Sequence, residues 1–331
     1  MLKVPTWVWV LSAAAAVALL AGAAAVVFLA GPGIGGQETW TGVDRIVAVG
    51  DVHGDFDQFV KALRAAQVID EKNDWIGGKT HLVQTGDVLD RGPDSRKVMD
   101  LLMKLEEEAP KAGGMVHPLI GNHEAMVLLG DLSFVNPEEE KAFGGPKEYR
   151  EAMSTQGKYG RWIRSHNAVI KINDLVFVHA GITEAFARQS LAEINKAVRD
   201  DLEKGNEHGI AMDYSGPLWD RTLALVDEEE VSTQLEATLK GYGAHRMVVG
   251  HTFSTKKGIF ARAGGRLIRI DVGMFSGFGG PAACLVVENG VFYEVRHPDT
   301  KHKLQLEARS GRPQASQPPT QDVSAAGRKA A

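Results

Sequence analysis

The sequence predicts an α/β protein in which a parallel sheet is built first and the C-terminal half adds a second, mainly antiparallel sheet. Three observations carry that prediction. Apolar runs at Ile46–Val49, His81–Thr85 and Val116–Ile120 each lead into a glycine-containing polar loop, and the stretches between them repeat apolar residues at helical spacing. Two later runs, Ala168–Ile172 and Leu175–Val178, flank Asn173-Asp174 as hairpin strands flank a turn. Farther on, Arg246–Val249, Leu267–Ile270 and Ala283–Val287 read as strands, the last running into an Asn289-Gly290 turn.

At the N-terminus, Trp7 to Ala30 is an uncharged run rich in Ala, Val and Leu, long enough to cross a bilayer as a helix. No face of it is polar, which excludes a buried amphipathic core helix. Residues 1–30 are therefore expected to be a transmembrane anchor, with a secretory signal cleaved near Ala21-Gly22-Ala23 as the alternative. Lys3 is the only charge ahead of the run, which favours an amino end inside. The rest of the chain is then expected outside the cytoplasm, periplasmic if the source is bacterial, or secreted if the segment is cleaved. Residues 31–43, beginning Gly31-Pro32-Gly33-Ile34-Gly35-Gly36, read as a linker.

Residues 44–300 then form one globular domain. A chain of 331 residues that is 44% hydrophobic can bury a large core, and no internal repeat divides it. The net charge of −5, with no basic block in the centre, excludes a nucleic-acid-binding stripe. Cys284 is the only cysteine, so the chain forms no internal disulfide. Residues 301–331 carry more basic than acidic residues, turn rich in Pro, Gln, Ser and Ala from Ser310, and are expected to be disordered.

Within the first expected helix, Phe56, Val60 and Leu63 share a face, and in the second Val98, Leu101, Leu102 and Leu105 do. This β-α-β-α-β order places three loops side by side at one sheet edge. The central loop, Gly86-Asp87-Val88-Leu89-Asp90-Arg91-Gly92, holds two carboxylates and a guanidinium directly after a strand, where α/β sheets build their sites. A carboxylate there can bridge two metal ions, and the second carboxylate and the arginine can reach a ligand that those ions hold. Gly50-Asp51-Val52-His53-Gly54 lies upstream and Gly121-Asn122-His123-Glu124 downstream.

In that order, the three motifs resemble the GDxHG, GDxxDRG and GNHE pattern of the metal-dependent phosphoprotein phosphatases, within the calcineurin-like metallophosphoesterases. Gly130–Val135, Gly160–Ile163 and Pro217–Arg221 make the chain most similar to the Shewanella-like protein phosphatase branch, over about residues 44 to 297. The resemblance implies a four-layer fold, two mixed β-sheets packed face to face and flanked by helices. It implies that Asp51 and His53 hold one metal, that Asp87 bridges, and that Asn122, His179 and His251 complete the second site. Mixed oxygen and imidazole ligands suit two divalent ions, manganese first, with iron or zinc as alternatives. A hydroxide held between ions about 3.5 to 4 Å apart would attack phosphorus in line. His123 would then protonate the leaving oxygen, Asp90 would orient His123, and Arg91 would clamp the phosphate. Arg221 supplies the second arginine of the family, with Arg161 and Arg246 as alternatives.

The expected function is thus a two-metal phosphomonoesterase acting on phosphorylated protein or peptide, at Ser/Thr, Tyr or both. A dinucleoside polyphosphate or small phosphate-ester hydrolase is the alternative enzyme. A membrane-tethered pseudo-phosphatase that only binds phosphate is the alternative of another class. Glu124 is expected to support the ligands, and Asp271, which follows a strand, to be a turn carboxylate, with bracing of the site as the alternative. The histidines outside the motifs, including His81 and His117, are expected to be surface or hydrogen-bonded residues.

Overall fold

Strand β2 (Arg45–Val49) lies at the centre of the first sheet, and every residue after its arginine is buried, as in strands covered on both faces. The structure, a computed structural model, describes residues 36–306. Ahead of β2 lies β1 (Thr39–Trp40), and after it come α1 (Phe56–Ala65), β3 (His81–Gln84), α2 (Ser95–Glu108) and β4 (Met115–Pro118). Four short helices follow: α3 (Asn122–Leu128), α4 (Pro137–Phe143), α5 (Pro146–Met153) and α6 (Lys158–Arg164). The hairpin β5 (Val169–Ile172) and β6 (Leu175–Val178) precedes α7 (Leu191–Lys204), α8 (Thr222–Leu225) and α9 (Glu228–Gly241). The chain closes with β7 (Arg246–Val249), β8 (Phe260–Arg262), β9 (Leu267–Arg269), β10 (Ala283–Glu288), β11 (Val291–Arg296) and β12 (Thr300–Lys303).

Two six-stranded sheets result, ordered β12-β11-β10-β2-β3-β4 and β1-β5-β6-β7-β9-β8. Both are mixed. The expected hairpin through Asn289-Gly290 forms, but β10 pairs antiparallel with β2 and so extends the first sheet instead of the second. The second sheet is not mainly antiparallel either, because β1-β5, β6-β7 and β7-β9 are parallel pairs. Alternation along a strand fixes faces but not partners, which is why the sequence pattern misassigned this hairpin.

That alternation separates two apolar layers. Ile170, Phe177, Val248 and Ile268 face the core shared with the first sheet, while Val169, Val176, Val178, Met247 and Val249 pack with Leu191 and Ile194 of α7 and Leu235 and Leu239 of α9. On the other side, α1 and α2 contribute Phe59, Leu63, Val98 and Leu102 to the shared core. Helix α1 starts where the Asp55 side chain accepts the Gln58 N–H, a cap that satisfies one orphan donor.

Both domain edges differ from expectation. Thr39–Trp40, inside the expected 31–43 linker, pairs with Lys171 and Ile172, and Lys301–Lys303, inside the expected disordered tail, pairs with β11. The apolar run Trp7–Ala30 lies outside the described residues; among those described, no helix is long and apolar enough to cross a membrane.

Candidate metal centre and active site

Parallel strands from both sheets finish at one end of the sandwich. Asp51 and His53 follow β2, Asp87 follows β3, Asn122 follows β4, His179 follows β6 and His251 follows β7. The loops approach so closely that a Cβ at Gly86 would lie 2.5 Å from the Gly121 nitrogen, and Gly86 has φ 93°. Among the described residues, eleven other than glycine have positive φ, and five of them are His53, Asp87, Asp90, Arg91 and His251. Backbone strain is concentrated where ligands must be aimed.

Ring tautomers follow from backbone partners. A carbonyl only accepts, so His179 donates Nδ1–H to Thr85 at 2.8 Å, His251 donates Nε2–H to Trp219 at 3.0 Å, and His53 donates Nδ1–H to Leu89 at 3.1 Å. Their other nitrogens turn inward. His179 Nε2 stands 2.9 Å from Asn122 Oδ1, 3.1 Å from His251 Nδ1 and 3.3 Å from Asp87 Oδ1. Only a proton or a cation can sit among so many lone pairs. His53 and His251 are both pushed down to about 3, chiefly by burial. His179 is raised in spite of burial because Asp87 faces it, and a divalent ion would take the place of that proton.

Two groups of ligand atoms converge: His53, Asp87 and His123, and Asp87, His179 and His251. Asp87 belongs to both, so the residues present fit two cations sharing one carboxylate. Asp51 does not join the first group. Both its oxygens instead accept the His251 N–H, at 2.9 and 3.1 Å. Its carboxyl is pushed well above the usual range by burial, then by the neighbouring carboxylates of Asp271 and Asp87.

Asp271 corrects the plain-turn expectation. It does accept the Gly273 N–H at 2.9 Å, but it is also buried beside Asp51 and pushed up to about 6, mainly by burial. Glu124 is buried and accepts backbone N–H groups from Asp87, Val88, Leu89 and Gly121 at 2.7 to 3.1 Å, which ties the central loop to the start of α3.

His123 is held differently from the other three imidazoles. Its Nδ1 donates to Asp90 Oδ2 at 2.6 Å, and burial, which lowers its affinity for a proton, is outweighed by Asp87 and Asp90, leaving it raised. Arg91 Nη2 lies 3.3 Å from its Nε2. Donors thus converge beside the place where lone pairs converge, an anion site against a cation site. Arg221 donates to the His251 carbonyl at 2.8 Å and to Thr252 Oγ1 at 3.0 Å, at the rim of the same site. Arg246 begins β7, at the strand's far end, and donates to Gly265; Arg161 is exposed on α6. Of the three candidates, Arg221 is the one beside the ligands.

A model of the calcineurin-like phosphoesterase family matches residues 44–254. The chain belongs to this family. It is a metal-dependent phosphatase. It is 32% identical over 256 residues to Shewanella-like protein phosphatase 1 of Plasmodium berghei, covering 73% of this chain and 70% of that one. To Shewanella-like protein phosphatase 2 of Arabidopsis thaliana it is 30% identical over 287 residues, covering 71% and 72%. The crystal structure of a cold-active protein-tyrosine phosphatase from a psychrophilic Shewanella species superposes with a TM-score of 0.74 at 30% identity, over 82% of this chain and 83% of that one.

Sequence reasoning missed the carbonyls of Thr85, Leu89 and Trp219, the pairing of Asp271 with Asp51, and the phenylalanines around Arg91. For Asp271 a signal existed, since it too follows a buried strand. Phe134 lay within the Gly130–Val135 stretch that carried the resemblance, without a role.

Proposed function

We propose that the chain is a phosphoprotein phosphatase that hydrolyses phosphate monoesters directly, without a phosphoenzyme. The supporting observation is the contrast among four histidines: His53, His179 and His251 each donate to a carbonyl, whereas His123 donates to the Asp90 carboxylate. An imidazole that donates one nitrogen to a carbonyl turns the other nitrogen's lone pair toward a metal, and one bound to a carboxylate keeps a proton for a leaving group. In this reading Asp51, His53, Asp87, Asn122, His179 and His251 hold two divalent ions, manganese first, with iron or zinc as alternatives. The chemistry that such ions supply when bound is activation of water and neutralisation of phosphate charge.

The chain's own residues do the rest. Arg91 offers a planar fork to the phosphate oxygens, and Arg221 a second guanidinium from the opposite rim. His123 gives a proton from Nε2 to the departing oxygen while Asp90 fixes the ring through Nδ1. Similarity to proteins named as protein phosphatases supports a phosphorylated protein or peptide as substrate. The test is manganese-dependent phosphate release from phosphoserine, phosphothreonine and phosphotyrosine peptides beside dinucleoside polyphosphates, with His123→Asn as control. Peptides should turn over faster and the variant should lose that turnover. Faster hydrolysis of the nucleotides would overturn the substrate.

The uncharged run Trp7–Ala30 supports a membrane tether, with the phosphatase domain outside the cytoplasm. Proteolysis of intact cells or spheroplasts should remove the domain. Protection until the membrane is breached would reverse the orientation.

A further inference from the structure

Arg91 and Arg221 bring two guanidinium groups to the site, and they are held by opposite means. Arg221 donates to two oxygens, the His251 carbonyl and Thr252 Oγ1. Arg91 has no oxygen acceptor among the described residues. Its side chain makes one polar contact there, Nη2 at 3.3 Å from His123 Nε2, and its Nε is buried without a partner. Two phenyl rings hold it instead. The guanidinium carbon lies over Phe134 at 5.1 Å from the ring centre and over Phe278 at 5.2 Å.

Both rings are themselves fixed. The Phe134 carbonyl accepts the Arg91 N–H at 2.9 Å, and Asn136 donates from Nδ2 to the Arg91 carbonyl at 2.8 Å while its Oδ1 caps α4 through Glu138. Phe278 stacks on Phe253 at 4.9 Å with planes 17° apart, and Phe275 meets it edge-on at 5.4 Å. Its loop is tied down two residues earlier, where Ser276 donates N–H and Oγ–H to Asp55 Oδ2 at 2.8 and 2.5 Å. The other oxygen of that carboxylate caps α1. Scattered exposed phenylalanines need no explanation, but Phe134, 45% exposed, is bonded through its own backbone to the arginine that its ring covers.

We propose that Phe134 and Phe278 are positioning residues for Arg91: their π faces hold its charge in place and leave its N–H groups free for phosphate. This rests on the reading of Arg91 as the phosphate clamp. A guanidinium on a flexible stem must be ordered before it binds, at a cost in side-chain entropy. A carboxylate would order it but would occupy its donors and cancel its charge, so phosphate would have to displace a partner. An aromatic face attracts the cation without taking a hydrogen bond in the guanidinium plane. Arg91 thus meets an incoming dianion already ordered and not neutralised. The same rings touch two imidazoles, Phe134 meeting His123 edge-on at 5.4 Å and Phe278 meeting His53 edge-on at 5.9 Å. A role through the acid or through a metal ligand is therefore the rival account.

The test is a double-mutant cycle on the full chain loaded with manganese, using Phe134→Leu, Phe278→Leu, Phe134→Tyr and Arg91→Ala. It follows kcat and KM on a phosphopeptide and, by calorimetry, the binding of inorganic phosphate. Each leucine should weaken phosphate binding and raise KM about fivefold with kcat little changed, and Phe134→Tyr, which keeps the π face, should stay near wild type. In the Arg91→Ala background neither leucine should change these quantities further, and metal content should match wild type throughout. A leucine effect that persists without Arg91 overturns the proposal. So does a fall in kcat at unchanged KM, which would assign Phe134 to His123, or a loss of metal, which would assign Phe278 to His53. Leucine variants that bind phosphate as wild type does, while Arg91→Ala binds it more weakly, overturn the proposal and leave the clamp intact. If Arg91→Ala itself binds phosphate unchanged, the clamp reading fails and the proposal with it. The calorimetric arm needs no turnover, so it decides even where a phosphopeptide proves the wrong substrate.

Discussion

Two pairs of buried histidines lie at opposite ends of this sandwich, and their geometry is nearly the same. His179 Nε2 and His251 Nδ1 are 3.1 Å apart where strands end, and His117 Nε2 and His81 Nδ1 are 3.0 Å apart where β3 begins. Only the first pair has Asp87 beside it and a backbone carbonyl on each outer nitrogen. Trp40 packs on the second at 4.3 Å from His117, and burial alone pushes His81 down to about 4. Two close imidazoles without an anion share one proton and stay neutral. A carboxylate and two carbonyl anchors turn the same spacing into a place for a cation.

Removing the anion should break that difference most completely. Asp87→Asn should lose both its bound metal, measured by mass spectrometry of the desalted protein, and phosphate release, leaving the site pair like the other one; metal retained with activity intact would refute the bridging role. His123→Asn should keep its metal and lose about 10²- to 10⁴-fold in kcat, the range for a general acid. Loss of metal in that variant would move His123 among the ligands, where its distance from His53 and Asp87 also allows it to sit.

A third change asks what a buried carboxylate does away from the metal ligands. Glu139 of α4 accepts the N–H groups of Ser95 and Arg96 at 2.6 and 2.9 Å, yet burial pushes it up from 4.5 to about 7. The folded chain therefore keeps a proton that the unfolded chain has already released, and its contribution is full below about pH 4.5 and lost as pH rises through about 7. At about 1.4 kcal/mol per pH unit this amounts to roughly 3 kcal/mol. Melting temperatures of wild type and Glu139→Gln, measured from about pH 5 to about pH 8, should shift in the variant's favour across that window. A constant gap would show that Glu139 does not titrate there. The smallest effect is expected at the other pair: His81→Phe should cost about 1 to 3 kcal/mol by leaving His117 unpaired, with kcat and metal content unchanged.

What the sequence made legible was local. Asp51, His53, Asp87, Asn122 and His123 sit in short loops directly after apolar strands, so a few adjacent letters carry both the exit and the ligand. His179 and His251 follow the same rule at other strands. The carbonyls of Thr85, Leu89 and Trp219 were invisible because every residue has one, and only the folded backbone aims it. The pairing of β10 with β2 was invisible for a related reason. Its alternation is equally at home in either sheet, and what decides is the company of residues hundreds of positions away. Asp271 had the right setting after a strand, but nothing in its own neighbourhood names Asp51 as partner.

That pairing also orders events during synthesis. Arg45 of β2 and Glu288 of β10 are 243 positions apart, so at ribosomal speeds of about 5 to 20 residues per second β2 waits roughly ten to fifty seconds for its outer neighbour. Meanwhile β2, β3 and β4 can pair, but one flank of β2 presents bare N–H and C=O groups to any other extended segment. The nascent half-sheet is thus a sticky intermediate, and a truncation that removes the last hairpin should yield aggregates rather than a smaller working enzyme.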